Sequence, residues 1–213
     1  MPMNKRTLNK FMDISGRYYS SKETIQVLKY RSLVYLPVIE KTLKKFEIPD
    51  DFKYLPLVES GLRNVTSAKR ARGVWQLMPA TAADMGMVVS SVEDERTQFI
   101  KSTITACRLI KQLYAGSTNW TITAAAYNAG MNNMRKAMKE QQQTAYYSLK
   151  LNTETSEYVY KIIILKLLLE GRMRNADVFG TETKEYAVFF NDTLCENNLW
   201  DRLELNCYLQ VFE

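Results

Sequence analysis

The stretch Tyr54–Gly86 reads YLPLVESGLRNVTSAKRARGVWQLMPATAADMG, and its reading decides the fold. One carboxylate, Glu59, follows the apolar run Leu55, Pro56, Leu57, Val58. A carboxyl held against apolar neighbours disfavours its ionised form, so its pKa should rise. An acid still protonated near neutral pH can give a proton to a leaving oxygen. The plain alternative for Glu59 is a surface glutamate at a helix end. Downstream stand Ser60, Ser67, Gly73, Trp75, Gln76 and Met78. Small hydroxyls, an amide and flat or soft apolar groups suit a sugar ring bearing an N-acetyl group. Each also has a structural reading, with Trp75 and Met78 as core and Gly73 as a turn.

Composition narrows the chemistry. The 213 residues suit one domain with small extensions and carry a net charge of +6. The basic residues are scattered, which argues against nucleic acid as a partner and leaves an anionic or wall glycan open. There is no histidine. Ser-His and Cys-His nucleophiles are therefore excluded, and acid–base work falls to Asp, Glu, Lys or Tyr. Cys107, Cys195 and Cys207 form no CxxC pair, and no metal or other cofactor is expected. Cys107 reads as a small buried residue, while the redox state of Cys195 and Cys207 stays open. The run IIILKLLL (162–169) is too short to span a bilayer and reads as a buried helix. The opening MPMNKRTLNKF has no apolar signal core.

Outward from Glu59 the chain reads as helical. Leu36, Ile39, Leu43 and Phe46 recur at helical spacing, with Pro37 placed in a first turn. IPDD breaks that helix, and Asp50 or Asp51 caps the next. Pro79 opens a short helix that Gly86 closes. A long helix runs from about 97 to 114 with Gly116 as its stop, and TITAAAYNAG forms a close-packing helix ending at Gly130. The segment 157–170 is apolar nearly all round, which places it in the core, and Gly171 ends it. After about residue 175, EYAVFF and NCYLQVF have strand-like content. The expected organisation is an accessory helical layer (1–48), a helical core domain (49–175) and a C-terminal extension (176–213).

Three blocks carry a family resemblance. ES with Ser67 and GVWQLMPATA, then AAYNAG (125–130), then TETSEYV (153–159) occur in the order and close to the spacing of one pattern. This resembles the lytic transglycosylases related to goose-type lysozyme, and FKYLPLVES with WQLMPATA is most similar to their membrane-bound D branch. The resemblance implies an all-α, lysozyme-like domain that cleaves peptidoglycan strands. It implies Glu59 as the sole catalytic acid/base. It places Ser67, Gln76, Met78, Tyr127, Asn128, Glu154 and Tyr158 in contact with substrate. It also implies a periplasmic or outer-membrane setting, with export signal and any anchor lying outside this chain. The sequence departs from the family's SxxGAxG at SAKRARG, where Arg70 replaces a glycine, and the Glu59–Ser67 interval is one residue shorter. Two rivals use the same fold. One is a hydrolytic lysozyme that positions water with Glu93, Asp94 or Glu95, residues that otherwise read as a solvated capping loop. The other is a glycan-binding protein that has lost catalysis.

Overall fold

A computed structural model describes residues 1, 4–18 and 22–171. Cys195, Cys207 and the strand-like tail segments lie outside these residues. The described part is helical, with only isolated bridges such as Thr66–Arg72 and Arg72–Leu77 outside the helices.

Two helices lead the chain: α1 (Lys5–Tyr18) and α2 (Lys22–Lys45). Asn4 caps α1, its side-chain oxygen accepting from the Thr7 amide at 2.9 Å. Phe11 and Ile14 turn inward from α1, which packs on the last helix, and Arg17 reaches Glu157 there at 2.9 Å. Ile25, Leu28, Val38, Ile39 and Leu43 line the inner face of α2. Pro37 sits inside α2 and does not open a helix as expected. Proline removes one backbone donor, and the carbonyl it leaves unpaired, four residues earlier, belongs to the exposed Leu33. The buried side chains of α1 and α2 belong to the same hydrophobic cluster as those of the later described helices.

A 3₁₀ turn over Asp50–Tyr54 leads into α3 (Leu55–Ser60). Neither Asp50 nor Asp51 caps that turn, because both are drawn to lysines: Asp50 to Lys53 and Asp51 to Lys166. After a long loop come α4 (Pro79–Asp84), α5 (Phe99–Ser117), α6 (Trp120–Ala129), α7 (Met131–Gln141) and α8 (Thr153–Leu169). Gly116 does not stop α5. The helix runs one residue further and is closed by Thr118 in the left-handed region. Gly116 instead admits the Arg135 side chain of α7, whose Nη2 would lie 2.7 Å from an added Cβ.

The alanines of α6 bring it close to α5 and α8, with Ala125 and Ala126 almost fully enclosed. Asn119 caps α6 by accepting from the Thr121 and Ile122 amides, and Trp120 stacks on Tyr114 at 3.8 Å. Asn152 caps α8 through the Thr155 amide. Tyr158, Val159, Tyr160, Ile162, Ile164, Leu165 and Leu168 bury α8 on several sides, as its continuous apolar run requires. Cys107 is buried in α5 as a free thiol. No helix among the described residues is long and apolar enough to cross a membrane.

Candidate active site

Glu59 lies in the last turn of α3. The helix stops there because Gly61 and Leu62 both take left-handed backbone, at φ 61° and 58°. Their amides return to Leu57 and Pro56, closing the end of the helix. Leu55, Pro56, Leu57 and Ser60 are all buried, so most of the short helix is enclosed. The Ser60 hydroxyl donates to the Val74 carbonyl at 2.7 Å and accepts from the Arg63 amide at 3.1 Å. The short helix is thereby tied to the following loop. Glu59 as a whole residue stays partly accessible, while its carboxyl is mostly enclosed. Burial by its surroundings pushes its pKa up to about 7; the Tyr158 hydroxyl pulls it down, and the Glu154 charge adds to the rise. That hydroxyl donates to Glu59 Oε1 at 2.5 Å.

Helix α8 supplies one side of the site. Tyr158 is only 3% exposed, so its hydroxyl reaches the carboxyl from within the protein. One helical turn earlier, Glu154 is exposed and accepts from Asn128 Nδ2 at 2.9 Å. Asn128 in turn accepts from the Thr155 hydroxyl at 2.9 Å. Both ends of that amide are thus fixed, and the C-terminal end of α6 is locked to the start of α8. The neighbouring Tyr127 donates to the Trp75 carbonyl at 2.8 Å, and burial holds its phenol well above the usual range.

The loop between α3 and α4 supplies the opposite side. Trp75 is fully enclosed, with its indole N–H on Thr103 Oγ1 at 2.9 Å, so its core reading holds and it offers no sugar platform. Gln76 stands at φ 48°, and its amide nitrogen donates to the Val65 and Gly73 carbonyls. Ser67 forms a turn in which its hydroxyl accepts from the Ala71 amide at 3.0 Å and its carbonyl from the Arg70 amide at 2.8 Å. Met78 is 42% exposed. Arg70 occupies the left-handed region at φ 65°, where a residue with a Cβ costs roughly 1–2 kcal/mol. Gly73 is required as well: a Cβ there would lie 2.0 Å from the Arg96 carbonyl oxygen.

The clamp under this loop was not legible as a functional feature. Arg96 is buried and donates through Nη1 to the Arg70 and Leu77 carbonyls at 2.8 and 3.0 Å. Its other nitrogens grip Asp94, at 2.9 and 2.7 Å, and Arg72 donates to the same carboxylate at 3.0 Å. Asp94 is therefore a structural anion, held below the usual carboxylate range mainly by Arg96. Glu95 accepts from the Val88 amide and pairs with Lys101. The only signal in the sequence was the spacing of Asp94 and Arg96, two apart in an acidic loop.

The three sequence blocks are thus linked to one another. Glu59 meets Tyr158, Glu154 meets Asn128, and Tyr127 meets the backbone beside Gln76. Residues 37–150 match the family model for the transglycosylase SLT domain. The chain is 31% identical over 166 residues to membrane-bound lytic murein transglycosylase D of Escherichia coli K12. It is equally similar to the protein of that name from Escherichia coli O6:H1. Each alignment covers 74% of this chain and 36% of the relative, so the chain spans about a third of the length of the curated relatives it matches. The family match covers α3 to α7, the loop of Ser67 and Gln76, and the acid at the end of α3, and on that basis the chain belongs to the transglycosylase SLT domain family.

Proposed function

We propose that this chain is the catalytic part of a lytic transglycosylase that cleaves peptidoglycan between N-acetylmuramic acid and N-acetylglucosamine, with Glu59 as its single acid/base. The observation that carries the reading is one carboxyl with its pKa held near 7 at an apolar helix end and oriented by a buried tyrosine hydroxyl. Most glycosidases place two carboxyls across the scissile bond. Here the acid whose charge reaches Glu59 is Glu154, which is tied to Asn128 and Lys69.

A substrate-borne nucleophile removes the need for a second carboxylate. Protonated Glu59 gives its proton to the glycosidic oxygen, and the bond to the muramoyl anomeric carbon breaks. The Glu59 carboxylate then takes the proton of the muramoyl 6-hydroxyl as that oxygen bonds to the same carbon. The product carries a 1,6-anhydro ring, and no water is consumed. Holding the 6-hydroxyl on the reacting sugar gives it a very high effective concentration. Tyr158 holds the carboxyl for both transfers, while Ser67, Gln76, Met78, Tyr127, Asn128 and Glu154 contact the sugars. A hydrolytic rival would draw on the acids of the 93–95 loop, yet Asp94 and Glu95 are engaged in structural pairs.

A cell-envelope location follows from this substrate, with peptidoglycan strands as the partner. The test is mass spectrometry of products released from purified peptidoglycan. Ends one water lighter than reducing ends support the reading. Reducing ends alone would replace it with hydrolysis.

A further inference from the structure

The loop facing α8 carries two adjacent cations at its tip, Lys69 and Arg70. Lys69 Nζ lies 3.7 Å from Glu154 Oε2, joining the two sides of the site. Their side chains are 81% and 63% exposed, so water weakens the pair and an incoming anion can displace it. The Arg70 guanidinium makes no ion pair or side-chain hydrogen bond among the described residues. Its backbone is nevertheless fixed: the residue is left-handed, and buried Arg96 holds its carbonyl at 2.8 Å. Strained residues persist where the surroundings over-determine them, and they concentrate where a side chain has work to do. The next cation along, Arg72, is paired with Asp94, so it does not contribute the same open charge.

Resting on the glycan reading of this site, we propose that Lys69 and Arg70 bind a carboxylate on the lactyl arm of the muramoyl unit, and so select charged strands over neutral ones. A guanidinium meets a carboxylate through two parallel hydrogen bonds, and an ammonium adds a mobile point charge. Lys69 leaves Glu154 to make this contact, which frees one Glu154 oxygen for the sugar while Asn128 keeps the other. Two sources present the same chemistry: the lactyl carboxylate of a bare strand, or the carboxylates of an attached peptide stem.

The test uses three sets of fluorescently labelled strands: peptide-bearing, stripped to lactyl carboxylates, and stripped then converted to neutral methylamides. Binding and kcat/KM are measured for the intact chain, Lys69→Ala and Arg70→Gly. The intact chain is expected to favour charged over neutral strands about tenfold or more. Each substitution should bring that ratio toward one, as should added salt. Preference among the two charged sets identifies the source of the carboxylate. Equal binding and cleavage of all three sets by the intact chain would overturn this inference alone. So would variants that lose the same factor on every set, since that marks a structural role. A chain that binds no strand overturns both this inference and the glycan reading.

Discussion

The two sides of the site are built by opposite means. Helix α8 presents Glu154 and Tyr158 from a regular helix, capped at Asn152 and buried through Leu165, Leu168 and their neighbours. The facing segment, 61–78, has almost no regular structure. It turns through left-handed backbone at Gly61, Leu62, Arg70, Gly73 and Gln76, and it is fastened by polar contacts to Arg96, Asp94 and Ser60. Apolar burial is diffuse and tolerant, so it fixes α8 as a platform. The loop depends on a few directional contacts that water would otherwise satisfy. Precise placement of Ser67 and Gln76 should therefore be the more fragile of the two.

Removing the clamp should do the most damage. Arg96→Ala leaves Asp94 buried without its main partner, frees the Arg70 carbonyl and takes one of two donors from the Leu77 carbonyl, a loss of about 3–5 kcal/mol. Urea unfolding should show that loss, and activity should fall even under conditions where the variant remains folded. The matching change on the other side is Leu165→Ala, which opens a cavity in a fully packed position and costs about 2–5 kcal/mol. Its activity per folded molecule should stay near normal at low temperature. Equal activity losses in the two folded variants would erase the distinction between the sides.

Tyr158→Phe keeps the ring in place and removes the hydroxyl from Glu59. The hydroxyl lowers the Glu59 pKa, so its loss should move that pKa above about 7. The alkaline limb of the kcat/KM profile, which reports loss of the protonated acid, should shift to higher pH. The rate at the optimum should also drop, by about 10–100-fold, as the carboxyl loses its orientation. A reduced rate with an unmoved limb would mean that the tyrosine only packs. The smallest stability change is expected for Arg70→Gly. Relief of left-handed strain offsets the added freedom of the unfolded chain, leaving thermal stability within about 1 kcal/mol. A larger loss would show that the arginine side chain supports the loop.

Much of the helical frame was legible. The all-round apolar run of α8, the alanine-rich α6 and the lone acid of α3 each have a direct physical signature in the sequence. Helix α7 did not announce itself, because MNNMRKAMKEQ is mostly polar and Met134 is its one fully buried residue. Pro37 and Gly116 were read as punctuation, yet tertiary packing carried both helices through them. Trp75 and Met78 could each be core or groove; the structure encloses the first and leaves the second exposed. Contacts between distant segments were beyond local reading. The Tyr158–Glu59 bond joins residues 99 apart, and Arg96 reaches Arg70 across 26. Periodicity reports a residue's own element and face, not the partner another element brings to it.

The proposed chemistry asks one carboxyl, Glu59, to carry both proton transfers. Glu59→Gln retains size and hydrogen-bonding capacity but cannot exchange the proton. The raised folded-state pKa means that ionised Glu59 destabilises the fold: stability is highest below the unfolded value of about 4.5 and falls as pH rises toward about 7. The amide removes this penalty, so Glu59→Gln should be more stable than the native chain at pH 8, by on the order of 1 kcal/mol or more. Near pH 4 the difference should shrink. The decisive measurement is the rate of anhydro-ended product release from purified sacculi by the folded Glu59→Gln variant, with the native chain alongside. A fall of about 10⁴-fold or more is expected, since acid–base assistance is typically worth 10²–10⁴ and Glu59 is proposed to supply both steps. Near-native release by the folded variant would contradict it.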